Sequence, residues 1–357
     1  MLELVNQSDW VAGLYSDWDA ARQHQQTTVF KASFHFDEQG HLIPMLEPPE
    51  LVQADEHYAK PTTSSLKQAL ETMPFKQGSE IYLYGTACPE RENLTAMEVG
   101  MGIKFTDGHK WKKVLRVFGE RRWKKTLVNY ILDEPGYVER IPLQYEYAYG
   151  GAETEQDDGY AANLAGMGYN PHSRQLSSEL LPRIEIGPNF LTGPTQKTIP
   201  AGFAPLPIFW EPRLSEIGDP VDEPMEQGGC PYSESAAPCV HNVAPQDQRF
   251  KQTFQGGEVI YLRALVPGVN HQDAVKLTLP TLHPQLYTII NNRTEELTPV
   301  CDTVVINTDE KTMSMIFRVG IPWRLTDRRH GWVVLKDLDK EELPYDKESR
   351  DVPRMAS

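Results

Sequence analysis

The sequence predicts a mainly β protein: two related, β-sandwich-like modules flanking a Gly/Pro-rich irregular central region, with few short helices. Three observations carry this expectation. The 357 residues include 28 prolines and 25 glycines, punctuation too frequent for long helices. Both ends of the chain contain runs with the two-residue alternation of strands. Between about residues 150 and 250, few segments keep either a helical or a strand period for eight residues.

Taken in order, TTVFKASFHF (27–36) sets Phe30, Ala32, Phe34 and Phe36 on one face and Val29, Lys31 and Ser33 on the other, and DEQGHL supplies its turn. The stretch Ser64–Ala69 is expected to start a short helix that Pro74 ends soon after. GSEIYLYGTACP, AMEVGMGIKF and WKKVLRVFGERRW read as three strands, with TDGHK as the turn between the last two. The middle is built of segments such as LPRIEIGPNFLTGP and IPAGFAPLPIFWEPR, which stay ordered only if their aromatic side chains pack onto something. Strands return in GGEVIYLRALVP, AVKLTLP, QLYTIINN, CDTVVINTDEKTMSMIFRVGIPW and GWVVL. The expected division is an N-terminal β module (1–140), an irregular centre packed on the modules (141–250), a C-terminal β module (251–336) and a frayed, charged tail (337–357).

The two strand-rich parts resemble each other. GSEIYLYGTACP (78–89) and GGEVIYLRALVP (256–267) share Gly-x-Glu-(Ile/Val) and reach proline at the same distance. TDGHKWKKVLRV (106–117) and TDEKTMSMIFRV (308–319) share Thr-Asp and Arg-Val at equal offsets, and Trp123 and Trp323 follow. Two accounts stand: an internal duplication, or strands reusing the same residue types.

A formal net charge of −15 argues against general affinity for nucleic acid or anionic membrane. No apolar run approaches the ~20 residues of a membrane-spanning helix, so no membrane insertion is expected. The start, MLELVNQSDW, lacks the pattern of a signal peptide, and four cysteines fit a reduced, cytoplasmic protein. CPYSESAAPC with His241 is spaced too loosely for a structural zinc site, and no cofactor or metal is expected. Nucleophile elbows and phosphate loops are absent, so no catalytic residue is assigned. Glu146 and Glu185, each in a mostly apolar stretch, are candidates for acid–base chemistry or, alternatively, for structural pairing with arginine. KWKKVLRVFGERRWKK (110–125) gathers eight basic residues, expected on a strand pair and directed at solvent or an acidic partner.

In IPLQYEYAYGG (141–151), strand geometry would put Leu143, Tyr145, Tyr147 and Tyr149 on one face and Glu146 on the other. The expectation is a lattice in which Glu146 and Glu185 pair with Arg174 and Arg213 and fix loops that have no ladder. Gly150 and Gly151 would let the chain leave the strand, and Asn170-Pro171 would turn it.

The ordered set YEYAYGG, NPHSR, LPRIE, PAGFAPLPIFWEPR and APQDQR, followed by a Gly-Gly-Glu strand, resembles a bacterial family catalogued as a domain of unknown function. Members are understood as type VI secretion adaptors, or chaperones, that help load a toxic effector onto the spike or its tip. The resemblance runs from about Thr27 to Trp323. Its blocks fall on Tyr145, Glu146, Gly150 and Gly151, on Asn170, Pro171 and Arg174, and on Pro182, Glu185, Gly202, Trp210, Arg213, Pro245, Asp247 and Gln248. The family has arginine where Tyr147 stands and glycines where Ser173 and Gln175 stand. The resemblance implies a non-catalytic protein whose partners are an effector and a spike or spike-tip protein, with aromatic side chains such as Tyr147, Tyr149 and Trp210 as candidate contacts. Strand addition at an open sheet edge is one expected mode. The alternatives are a β-rich hydrolase acting on carbohydrate, with Glu146 and Glu185 as acid and base, or a structural piece of the secretion machine.

Overall fold

The computed structural model describes residues 1–152, 159–171, 176, 179–220, 230–270 and 273–338. The expected tail from 339 onward and Arg174 lie outside the described residues. The protein is mainly β. Strands of five or more residues are β1 (Leu2–Asn6), β2 (Val11–Trp18), β3 (His24–Phe36), β4 (Ser79–Tyr84), β5 (Ala96–Lys104), β6 (Lys110–Phe118), β7 (Val259–Arg263), β8 (Ala274–Thr278), β9 (Pro284–Ile290), β10 (Arg293–Leu297), β11 (Val300–Asn307), β12 (Thr312–Pro322) and β13 (Gly331–Asp337). Among the described residues, the α-helix is limited to α1 (Arg213–Glu216). The helix expected at Ser64–Ala69 is instead a short strand, Leu66–Gln68, paired with Glu56–His57.

Three sheets carry the fold. The largest has the order Arg249–Phe250, β4, β11, β12, β3, β2. A five-stranded sheet runs Ile184–Glu185, β6, β5, β7, β8, and a four-stranded one runs β1, β13, β9, β10. One apolar core joins them. The expected face of β3 (Phe30, Ala32, Phe34, Phe36) meets Ile81 and Leu83 of β4, Val304 and Ile306 of β11, and Val99, Met101 and Ile103 of β5 in this core. Trp10, Phe30 and Phe317 stack within it, with ring centroids 5.5 and 4.9 Å apart.

Neither large sheet belongs to one flank of the chain. β4, from the N-terminal flank, lies parallel to β11, whereas β7, from the C-terminal flank, lies antiparallel to β5. Each first strand of the sequence repeat therefore pairs with the hairpin of the other half, and the two pairings differ in sense. Local roles are nevertheless shared. TDGHK and TDEK both fall at hairpin turns, joining β5 to β6 and β11 to β12. Gly78 and Gly256 both have left-handed φ, +66° and +90°. Two residues after each, Glu80 and Glu258 are fully buried and accept two consecutive backbone N–H groups. Glu80 Oε2 takes Val243 and Ala244 at 2.9 and 3.1 Å. Glu258 takes Gln255 and Gly256, both at 2.9 Å.

Lys76 completes the Glu80 site with a buried ion pair, and its ammonium also donates to Thr303 Oγ1 at 2.9 Å. Burial alone would raise the Glu80 pKa, but Lys76 and the two amides outweigh it and hold the carboxyl below its ordinary value. Replacing Glu80 with alanine strands the Lys76 charge and two N–H groups. The expected cost is about 3–5 kcal/mol in denaturant unfolding. A loss below about 1 kcal/mol would show that loop 242–244 does not depend on this carboxylate.

Candidate functional site

The block 141–151 does not continue as a strand. Gln144 is extended, Tyr145–Tyr147 form one 3-10 turn, and Tyr149–Gly150 pair in parallel with Met167–Gly168. The expected single aromatic face is thus replaced by three separate placements, because the turn rotates successive side chains out of the two-residue period. Tyr145 is 1% exposed; its hydroxyl donates to Ala204 O at 3.1 Å and its ring meets Trp210 edge-on at 5.8 Å. Trp210 is itself fully buried and donates to Thr62 O. Tyr149 is buried and donates to Gln196 O at 3.2 Å. Tyr147 is half-buried beside the Arg183 guanidinium.

Gly150 and Gly151 have φ of +152° and +92°, and a Cβ on either would strike a carbonyl oxygen, of Asn163 at 2.2 Å and of Gly166 at 2.3 Å. Asn163 explains this closeness: its buried side-chain amide donates to Tyr145 O and Tyr149 O and so ties the turn together. Asn170 is buried and donates to Glu179 Oε2 at 2.9 Å, with Pro171 exposed after it. Gln248, fully buried, bridges the sheet to the loops by donating to Ile81 O and Phe203 O. Its Oε1 accepts from Lys113 at 2.9 Å, and Lys113 also pairs with half-exposed Asp247.

In place of the expected carboxylate–arginine lattice, one of the two acids meets a different arginine and the other meets a serine. Glu185 is paired through Oε1 with Arg121 and not with Arg213, and its Oε2 accepts the Leu191 N–H at 2.9 Å; its expected pairing with Arg174 lies outside the described residues. Arg121 reaches it because β6 ends beside the Ile184–Glu185 strand, and the guanidinium stacks 3.9 Å from the Phe118 ring centroid. Glu146 accepts from the Ser65 backbone N–H (2.9 Å) and from Ser65 Oγ, and among the described residues no guanidinium pairs with it. Arg213 is 1% exposed and donates to Leu206 O at 2.8 Å. Sequence reading missed Ser65 and Asn163, since neither has a local signal, and passed over Glu80 and Glu258, which the repeated Gly-x-Glu did mark.

Two open features lie on outward sheet faces. A cavity of about 410 Å³ lies over β4, β11 and β12, lined by Tyr82, Tyr84, Asn307 and Ser314 and walled by 65–69 and 142–144. A second, of about 700 Å³, follows β5 on the outside of the five-stranded sheet, floored by Gly100 and Gly102. Its rims come from β6 and β7. The basic stretch 110–125 is split by this geometry: Lys110, Lys112 and Arg116 point outward, whereas Lys113 and Arg121 are buried. Among the described residues, no group of histidine, cysteine and acidic side chains is placed to hold a metal ion, and no helix is long and apolar enough to cross a membrane.

These observations define a β scaffold with one shared core, on which irregular segments are fixed by buried carboxylates and amides. The chain belongs to the bacterial family described as "Uncharacterized protein conserved in bacteria (DUF2169)", whose model matches residues 21–318. No curated protein and no solved structure matches it.

Two measurements test the bracing. Glu185→Ala leaves Arg121 buried without its carboxylate and is expected to cost about 3 kcal/mol, whereas Glu146→Ala, which removes only contacts to Ser65, is expected to cost about 1 kcal/mol. Equal effects would contradict the different surroundings of the two acids.

The second measurement concerns pH. His241 lies against Phe75 and Tyr232, and its Nε2 is buried with no hydrogen-bond partner among the described residues. Burial, then the positive charges of Arg318, Lys76 and Arg213, lower its pKa from 6.5 to about 3. The unfolded chain therefore binds a proton that the folded one refuses, and stability falls as pH drops from 6.5 toward 3. His241→Phe is expected to flatten the Tm–pH curve over that range; an unchanged slope would remove His241 as its cause.

Proposed function

We propose that this chain is a non-catalytic adaptor or chaperone that binds a type VI secretion effector in the cytoplasm and helps load it onto the spike complex. The reading rests on the resemblance of its ordered blocks, on its family membership and on what the block residues do. One observation carries most weight: the acids and amides of those blocks are engaged with the chain's own backbone and side chains. Glu185 has one oxygen on Arg121 and the other on the Leu191 N–H, so neither is available as a general acid or base. Glu146 likewise has both oxygens on Ser65. This weighs against a hydrolase built on the pair and in favour of a rigid body that presents its surfaces to another protein.

The role of the aromatics shifts accordingly. Tyr145, Tyr149 and Trp210 are inside, so they shape the presenting body and do not touch the partner. Tyr147, half-buried, and the outward sheet faces remain as contact surfaces. Co-expression with effector and spike proteins encoded beside this gene is expected to yield a stable complex on size exclusion. Failure to recover one with any of several neighbouring effectors would overturn the proposal.

A further inference from the structure

We infer that the outer face of the five-stranded sheet binds an extended acidic polypeptide segment along β5. The face is built by register. Gly100 and Gly102 sit on the central strand with no side chain; Lys112 and Val114 flank them on β6, and Tyr261 flanks Gly102 on β7. The result is a trough whose floor is backbone and whose walls are side chains two strand spacings apart, ~9.6 Å.

Neither glycine has a left-handed φ. A Cβ at Gly102 would crowd the Trp111 carbonyl oxygen at 3.2 Å, which accounts for that glycine, but at Gly100 it would meet nothing closer than 3.5 Å, so packing within the sheet does not require glycine there. Glycine inside a strand weakens it, and its usual uses are a bulge, a bend or the close approach of another chain. The β5 register runs unbroken from Ala96 to Lys104 against β6, so a bulge is not the reason. The open space over Gly100 suits the close approach of a ligand backbone.

Charge selects the ligand. Lys104 and Lys110 are direct cross-strand partners, an arrangement of like charges that opposes pairing. Lys112 and Lys276 point out of the same face, and none of these four lysines has an acidic partner among the described residues. Glu98, opposite Arg116 at one end, is the carboxylate on the β5 row. A concentration of unpaired cations on a chain of net charge −15 complements a local run of acidic side chains. A long polyanion would meet the repulsive field of the whole molecule. The width favours polypeptide over duplex, and the exposed Val114 (39%) with Tyr261 gives an apolar contact for alternate side chains of a strand-like segment.

The inference rests on the reading of this chain as a binding protein, but its test does not require the effector. The probe is a fluorescein-labelled Glu-Thr repeat dodecapeptide, titrated by anisotropy against wild type, Lys112→Glu/Lys276→Glu and Gly100→Val. The exposed lysines leave the fold intact, and valine suits a strand, so the variants are expected to keep the wild-type Tm. Binding is expected for wild type and at least ~10-fold weaker for both variants. No binding by wild type, or equal binding by the variants, overturns the inference. So does tighter binding of a single-stranded oligonucleotide of equal charge, or a dimer of this chain that the variants dissociate. In co-purification, an effector captured equally by wild type and variants removes the trough and leaves the adaptor role standing. Peptide binding with no effector captured does the reverse.

Discussion

Irregular backbone inside a protein must find hydrogen-bond partners without a ladder, and in this molecule buried glutamates, together with half-buried Glu146, provide them. Glu71 takes the Val52 N–H, Glu80 those of Val243 and Ala244, Glu146 that of Ser65, Glu185 that of Leu191, and Glu258 those of Gln255 and Gly256. A carboxylate suits this task because each oxygen accepts more than one donor and ionic hydrogen bonds are the stronger kind. Its desolvation is offset by a nearby cation: Lys31 for Glu71, Lys76 for Glu80, Arg121 for Glu185.

This bracing works because the sheets are continuous across the chain. β4 joins the hairpin β11–β12 and β7 joins β5–β6, so the two flanks cannot separate without breaking both sheets. Gln248 illustrates the coupling: one side-chain amide ties β4 at Ile81 O to the loop at Phe203 O, and Lys113 of β6 holds its oxygen. The body that results leaves its outward sheet faces and half-buried Tyr147 at the surface, whereas Tyr145, Tyr149 and Trp210 are inside.

Much of the β scaffold was legible in the sequence because alternation is a local signal. The Phe30–Phe36 face, the TDGHK turn and the strands from AMEVGMGIKF and CDTVV can be read from residues adjacent in the chain. YEYAYGG misled for the same reason: its alternation imitates a strand, while Asn163, eighteen residues from Tyr145, curls it into a turn. Glu146 and Glu185 stood out as acids in apolar stretches, with a structural or an acid–base role open, yet their partners could not be read. Arg121 and Arg213 look alike in sequence, and only β6 running beside Glu185 selects the first.

Composition and periodicity by themselves determined that this chain is a β protein with an irregular, proline- and glycine-rich middle and an acidic surface. Those properties depend on near neighbours and on sums over residues. Tertiary structure alone decided which guanidinium meets which carboxylate, that Tyr145, Tyr149 and Trp210 turn inward, and that two glycines and a row of lysines share one open face. Each of these depends on strands distant in sequence lying about 4.8 Å apart, a proximity that no local pattern encodes.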